Sequence, residues 1–216
     1  MRKISSFVLW LLLTLFLIPS GYSQQEDFVP MLDEEKFRNA LTGFNRETNT
    51  LMSDFRQVKH LDILTEDIIS AGKFYYMKES KLRWEYTDPF DYSIIFNGND
   101  ILIRDEDRES RYNTDSNRMF RQISQLMSNV IRGDILEENE EFSVTCFENK
   151  REYLIILFPV NEQYRQFFQE IEVHFGRDDM LVSKVKFTEQ SEDFTLIEFT
   201  KKKRNETIPD TIFLVQ

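Results

Sequence analysis

Two short runs of carboxylates, Asp105-Glu106-Asp107 and Asp178-Asp179, could move protons, and a carboxylate pair is what acid–base glycoside chemistry needs. Both runs lie in polar stretches between periodic segments, where acidic side chains favour turns, and the turn reading is preferred. His60 and His174 stand far apart with no cysteine beside either, so the usual spacings of a zinc site are missing. Cys146, the single cysteine, cannot close an intramolecular disulfide and reads as a small buried residue of a strand rather than a reactive thiol. There is no G-x-S-x-G, no nucleotide-binding glycine loop, no H-E-x-x-H and no C-x-x-C. Asn205-Glu206-Thr207 matches the glycosylation acceptor pattern, which matters only in a eukaryotic secretory route. The expectation is a protein that is not an enzyme and holds no metal or cofactor.

What the sequence does concentrate is apolar and aromatic surface: 20 Phe, 8 Tyr and 2 Trp in 216 residues. The candidate lining of a shared interior is Phe37, Phe44, Phe55, Phe74, Tyr76, Leu82, Trp84, Tyr86, Ile94, Phe96, Phe120, Ile123 and Met127. These residues fall on single faces of periodic segments and converge on one interior. Periodicity alone favours an ordinary filled core, because a hollow and a filled core have the same pattern.

The elements that would position them follow from spacing. Asp33 can cap a helix over Asp33 to Thr48, with Glu34 and Glu35 in its first turn and Phe37, Ala40, Leu41 and Phe44 at helical spacing. A second helix is capped by Ser116, carries Met119, Phe120, Ile123, Leu126, Met127, Val130 and Ile131 on one stripe, and stops at Gly133. Nearly everything else alternates with period two. Leu82, Trp84 and Tyr86 point one way while Arg83, Glu85 and Thr87 point to a wet face. Strands are predicted at Leu51 to Lys59, Ile68 to Met77, Leu82 to Thr87, Tyr92 to Phe96, Ile101 to Arg104, Phe142 to Phe147, Tyr153 to Phe158, Ile171 to Phe175, Leu181 to Phe187, Phe194 to Thr200 and Thr211 to Val215. Asn97-Gly98 has the residues for the centre of a type I′ hairpin turn. A meander of this length curls. The fold class is therefore α+β, mainly β: a strongly curved antiparallel sheet or incomplete barrel, with helices over its hollow face.

Residues 1 to 23 read as a cleaved secretory signal: basic Arg2 and Lys3, an apolar run from Phe7 to Ile18, Pro19, and small residues before Gln24. Gln24, and not a cysteine, follows the cut, so no lipid anchor is expected. Residues 24 to 216 should form one exported domain. The formal net charge is −11, and losing the signal removes two cations without removing an anion. That balance argues against nucleic acid and anionic membrane surfaces as partners.

Taken in order, Phe55-Arg56-Gln57, Gly72-Lys73-Phe74, Leu82-Arg83-Trp84-Glu85-Tyr86, Asp88-Pro89 and Asn97-Gly98 resemble the LolA-type periplasmic carrier of outer-membrane lipoproteins. The resemblance runs over most of the chain after the signal. It implies a monomeric incomplete barrel around an apolar cavity, which takes lipoprotein acyl chains from an inner-membrane ABC transporter to an outer-membrane acceptor. By position, Leu82 and Trp84 match cavity residues. Lys78 falls where the family often has an arginine tying the barrel to its helical lid, and Glu79 where a proline is usual. A lysine lacks the planar fork of arginine, so its latch is expected to be weaker. Gln216 follows closely on the last predicted strand, leaving little room for a C-terminal extension. Two other roles share such a fold: a carrier of glycolipid or another envelope lipid, and a lipid- or peptide-sensing regulator of envelope stress, whose relatives usually add a C-terminal domain.

Overall fold

A computed structural model describes residues 27–78, 81–106, 108–113 and 141–215. The predicted signal segment, Glu79, and the second predicted helix with Phe120, Ile123 and Met127 lie outside the described residues.

Twelve antiparallel strands form one open sheet. In chain order they are β1 (Val29–Pro30), β2 (Thr50–His60), β3 (Ile68–Met77), β4 (Lys81–Asp88), β5 (Tyr92–Asn97), β6 (Asp100–Asp105), β7 (Arg108–Asn113), β8 (Phe142–Glu148), β9 (Glu152–Pro159), β10 (Glu170–Gly176), β11 (Val182–Thr188) and β12 (Phe194–Arg204). Among the described residues two α-helices accompany them, α1 (Glu34–Arg46) and the single turn α2 (Glu162–Arg165). Across the sheet the order is β1-β8-β9-β10-β11-β12-β2-β3-β4-β5-β6-β7. The pairing of β12 with β2 therefore joins two meanders into one surface, and its edges at β1 and β7 stay apart. The sheet is not closed into a barrel.

Local chemistry explains the main elements. Asp33 accepts a hydrogen bond from the Lys36 amide at 2.9 Å, as its capping role requires. Phe37 and Leu41 are then buried one helical turn apart, laying α1 over the concave face of β8–β11. Curvature comes from bulges, between Ala71 and Gly72, at His174/Phe175, and between Thr200 and Lys203. Gly72 is needed at the first: a Cβ there would stand 1.9 Å from the Glu85 carbonyl oxygen. Gly72→Ala should force the β3–β4 ladder apart and lower stability by ~1–3 kcal/mol, measured by thermal or urea denaturation.

Three expectations need correction. The stretch expected as a strand from Thr211 to Val215 is instead a short 3-10 turn, Asp210–Phe213. Pro209 cannot donate to a ladder, and fully buried Phe213 joins Ile208 in covering Ile95 and Leu102 on the convex face. That face of β4 is consequently not simply wet, since Arg83 donates to the Ile212 carbonyl at 3.2 Å and pairs with Glu85 at 2.7 Å. The hairpin between β5 and β6 turns on Gly98-Asn99, with Asn97 paired to Asp100. Gly98 takes a φ of +62°, the arrangement of a primed turn with glycine at its first central position.

The outer face of β9–β11 carries a polar network. His174 Nδ1 lies 3.2 Å from Glu152, and its Nε2 lies 3.8 Å from Glu172, which Lys186 also approaches at 3.0 Å. The His174 ring and Lys186 hold the Glu172 carboxyl down to about 2 against a burial cost that opposes them. A carboxyl depressed in the fold stabilises it above the ordinary glutamate range and loses that contribution as the folded group takes up its proton. Stability should therefore fall from about pH 4.5 to about pH 2. Glu172→Gln should show a shallower fall over that window in a series of melting temperatures.

Candidate functional site

The concave face holds two apolar clusters side by side. One lies under α1 and includes Phe37, Leu41, Cys146, Ile155, Leu157, Val173, Phe175 and Val185. The other spans β12 and β2–β6 and includes Phe55, Phe74, Tyr76, Leu82, Trp84, Phe96, Ile101 and Ile197, with Tyr86 and Ile94 packed against it. Phe187 and Phe199 touch both.

Eight of the expected lining residues, Phe55, Phe74, Tyr76, Leu82, Trp84, Tyr86, Ile94 and Phe96, thus meet in one cluster. Period two brings Leu82, Trp84 and Tyr86 to the same face, and the β2–β3–β4–β5 register sets Phe74 and Ile94 on either side of Trp84. The Trp84 ring sits 4.6 Å from Phe55, 5.5 Å from Phe74 and 5.9 Å from Phe199. Tyr86 donates its hydroxyl hydrogen to Gln57 at 3.0 Å, and burial raises its pKa above the ordinary tyrosine value.

Phe37 does not share that interior. Its ring lies between Tyr153 and Phe175, at 4.4 and 5.9 Å, in the cluster under α1. Phe44 is half-buried on the flank of the helix, with the Arg204 guanidinium 4.0 Å above its ring. The candidate residues among those described, Phe44 apart, thus fall in two adjoining clusters, with Phe37 in the one beneath α1.

Between the clusters runs an apolar cleft. Its walls are Leu51, Ser53, Phe74 and Trp84 from the first meander and Phe175, Met180, Leu181, Val182, Val185, Phe187, Ile197 and Phe199 from the second. Asn45 and Thr48, at the end of α1, and Lys202 also line it. The cavity left open is about 40 Å³, close to one water's share of liquid volume (~30 Å³) and far below the ~300 Å³ of a small-ligand pocket. The cleft is narrow.

The wall from the second meander went unpredicted as a binding surface, although Val185/Phe187 and Ile197/Phe199 alternate as plainly as β4 does. Met180 carried no periodic signal; it enters from the β10–β11 turn with a left-handed φ of +52°.

The end of α1 is tied down beside the cleft. Lys78 donates from its ammonium to the Arg46 carbonyl and from its backbone amide to Asn49 at 2.8 Å. Asn205 donates to the Glu47 carbonyl at 2.9 Å and accepts from the Asn49 amide at 2.7 Å. The Asn205 amide of the acceptor pattern is thus engaged within the fold.

Of the groups weighed for chemistry, only Asp179 reaches the cleft, through its ion pair with Lys202. Asp178 and Asp179 belong to the β10–β11 turn, and Asp105 and Glu106 to the end of β6 and the turn after it. His60 pairs with Asp67 at 2.8 Å on the surface. Cys146 is buried, and desolvation pushes its thiol up to about 11, well away from thiolate reactivity at neutral pH. Among the described residues no group of three or more His, Cys, Asp or Glu side chains converges as a metal site would, and no helix is long and apolar enough to cross a membrane.

Comparison with known proteins bears on the same cleft. The sequence pattern of the family described as outer membrane lipoprotein carrier protein LolA matches residues 46–216, a stretch that includes all of the cleft walls named above except Asn45. The outer-membrane lipoprotein carrier protein of Methylococcus capsulatus is 26% identical over 153 residues, covering 70% of this chain and 68% of that one. An uncharacterized conserved protein from Thermus thermophilus superposes with a TM-score of 0.51 at 7% identity, over 83% of this chain and 92% of its own. MucB does so with a TM-score of 0.50 at 14% identity, over 86% of this chain and 64% of MucB. At such identities the two structures share the fold alone. The family match spans most of the molecule, and this chain belongs to the LolA family of outer membrane lipoprotein carrier proteins.

Proposed function

We propose that residues 24–216 form a monomeric periplasmic carrier that shelters lipoprotein acyl chains in the cleft between the two clusters. It takes them from an inner-membrane ABC transporter and delivers them to an outer-membrane acceptor. The observation that carries this reading is the continuous apolar wall on both sides of the cleft, from Trp84 and Phe74 to Phe187 and Phe199, in a chain of this family.

The energetics require such a shelter. Exposing one acyl chain of about fifteen methylenes costs ~12 kcal/mol, so unassisted transfer through water is negligible. A dry groove removes that cost while making no covalent bond, and the protein does no chemistry on its cargo. Because the space between the walls, about 40 Å³, is too small for an acyl chain, loading must separate them. Met180 is unbranched and can re-pack around an incoming chain. The ties at Lys78 and Asn205 hold only the last turn of α1, so breaking them frees the helix end beside the mouth without dismantling the sheet. Lys78 is thus the latch, and Phe74 and Trp84 form the wall that receives the chain, backed by Phe55, Tyr76, Leu82, Tyr86, Ile94 and Phe96 of the same cluster, with Phe120, Ile123 and Met127 as further lipid-contacting positions.

The test is to purify the protein from cells that express a tagged lipoprotein in acylated form and, separately, with its acylated cysteine replaced. The acylated form should co-purify and the other should not. Equal recovery of both would remove the proposal, and mass spectrometry of a mild lipid extract would reveal whether a glycolipid occupies the cleft instead.

A further inference from the structure

Besides Asn45 and Thr48 at the end of α1, the cleft carries polar side chains where β12 breaks register with β2. Thr200 pairs with Asp54 and Lys203 with Met52, which leaves Lys201 and Lys202 together opposite Ser53. Two residues against one is a bulge, and a bulge re-aims side chains. Without it, the alternation of Ile197 and Phe199 would send residue 201 inward. Lys201 instead turns out to solvent with its side chain 79% exposed and pairs with Asp54 at 2.8 Å. Lys202 turns in, its side chain 15% exposed, and lines the cleft.

Facing it, Ser53 is 6% exposed, also lines the cleft, and its hydroxyl has no hydrogen-bond partner among the described residues. A buried hydroxyl without a partner is costly in a closed protein and becomes useful when a ligand supplies an acceptor. The Lys202 ammonium is ion-paired with Asp179 at 2.8 Å and donates to the Leu181 carbonyl at 3.4 Å. With three hydrogens to donate, it has capacity for a ligand acceptor as well. Both side chains are donors, so the group they fit is a hydrogen-bond acceptor at the end of an otherwise apolar molecule.

We propose that Ser53 and Lys202 receive the acyl carbonyl or carboxylate oxygen of a fatty chain in the cleft, fixing which end of the chain sits at the β12 bulge. This rests on the carrier reading above. Shared recognition of an acyl oxygen serves either a free fatty acid or a chain linked to protein, and the experiment separates them.

Palmitate, an N-palmitoylated peptide and hexadecane would be titrated in competition with an environment-sensitive apolar dye, using the wild type, Ser53→Ala, Lys202→Met and Asp179→Asn. Each of the first two variants should bind the oxygen-bearing probes about tenfold more weakly, the equivalent of one charge-assisted or well-formed hydrogen bond, with hexadecane unchanged. Asp179→Asn frees the ammonium of its counterion and should bind palmitate more tightly. A loss confined to palmitate assigns the site to the free acid, and one confined to the peptide assigns it to protein-linked chains. Denaturation midpoints of all variants distinguish loss of a contact from loss of the fold. Unchanged preference in both Ser53→Ala and Lys202→Met, or an equal loss for hexadecane, overturns the assignment. If the wild type binds none of the three probes, the carrier reading itself fails.

Discussion

Leu82→Glu is expected to abolish retention of acylated lipoprotein and to destabilise the protein by ~3–5 kcal/mol at neutral pH, the cost of an unpaired charge in an apolar interior. Leu82 is buried on β4 between its cross-strand neighbours Tyr76 and Phe96, in the cluster that also holds Trp84. A glutamate there can relieve the penalty by staying protonated, so its folded pKa rises above the unfolded value of ~4.3. Below that value both states are neutral and the charge penalty vanishes; it grows as pH climbs towards the raised folded pKa. Urea denaturation at pH 4 and pH 7 measures the difference. Leu82→Ala, which leaves a void and no charge, should lose ~2–5 kcal/mol at both pH values. Equal pH dependence in the two variants would show that position 82 is not in a dry interior.

Most of the scaffold was legible because its signals are local. The cap at Asp33, the apolar stripe of α1 and the alternation in β3 and β4 depend on neighbours within a few residues, and the β3 boundaries match the expected Ile68 to Met77. The second edge was not legible. β7, Arg-Glu-Ser-Arg-Tyr-Asn, has no apolar alternation and is held by its ladder with β6; charged side chains at an edge also discourage pairing with another sheet. The C-terminal segment failed for a different reason. Thr211 to Val215 has the composition of a strand, but burial of Phe213 against Ile95 and Leu102 outweighs that propensity.

The candidate wall was half legible for a topological reason. Phe55 to Phe96 lie on consecutive hairpins, so register follows the chain. Phe187, Ile197 and Phe199 reach the same cleft only because β12 crosses to pair with β2, a contact between distant parts of the sequence. The inward aim of Lys202 depends on a bulge within that pairing, which alternation alone cannot foretell. Phe37 lies in the cluster under α1, a placement that periodicity leaves open because it orients a stripe without naming the strands beneath it.

That distinction leads to a second large effect. Phe37→Ala should cost ~3–5 kcal/mol, the usual range for emptying a buried aromatic site, because its ring lies between Tyr153 and Phe175 and, with Leu41, it anchors α1 to the sheet. Lys78→Met removes a different link. It deletes the ammonium contact to the Arg46 carbonyl while leaving the backbone bond of residue 78 to Asn49 and the apolar seat of the helix intact. An exposed charged hydrogen bond of this kind contributes about 1 kcal/mol or less. The two variants should separate in opposite directions: Phe37→Ala lowers the melting temperature strongly, whereas Lys78→Met leaves it nearly unchanged and speeds exchange of a bound fluorescent fatty acid severalfold. Docking and latching are then distinct functions of one helix, the first set by its buried stripe and the second by its last turn. Exchange rates that track melting temperature across both variants would instead make α1 a static cover, and the opening motion would have to come from the sheet.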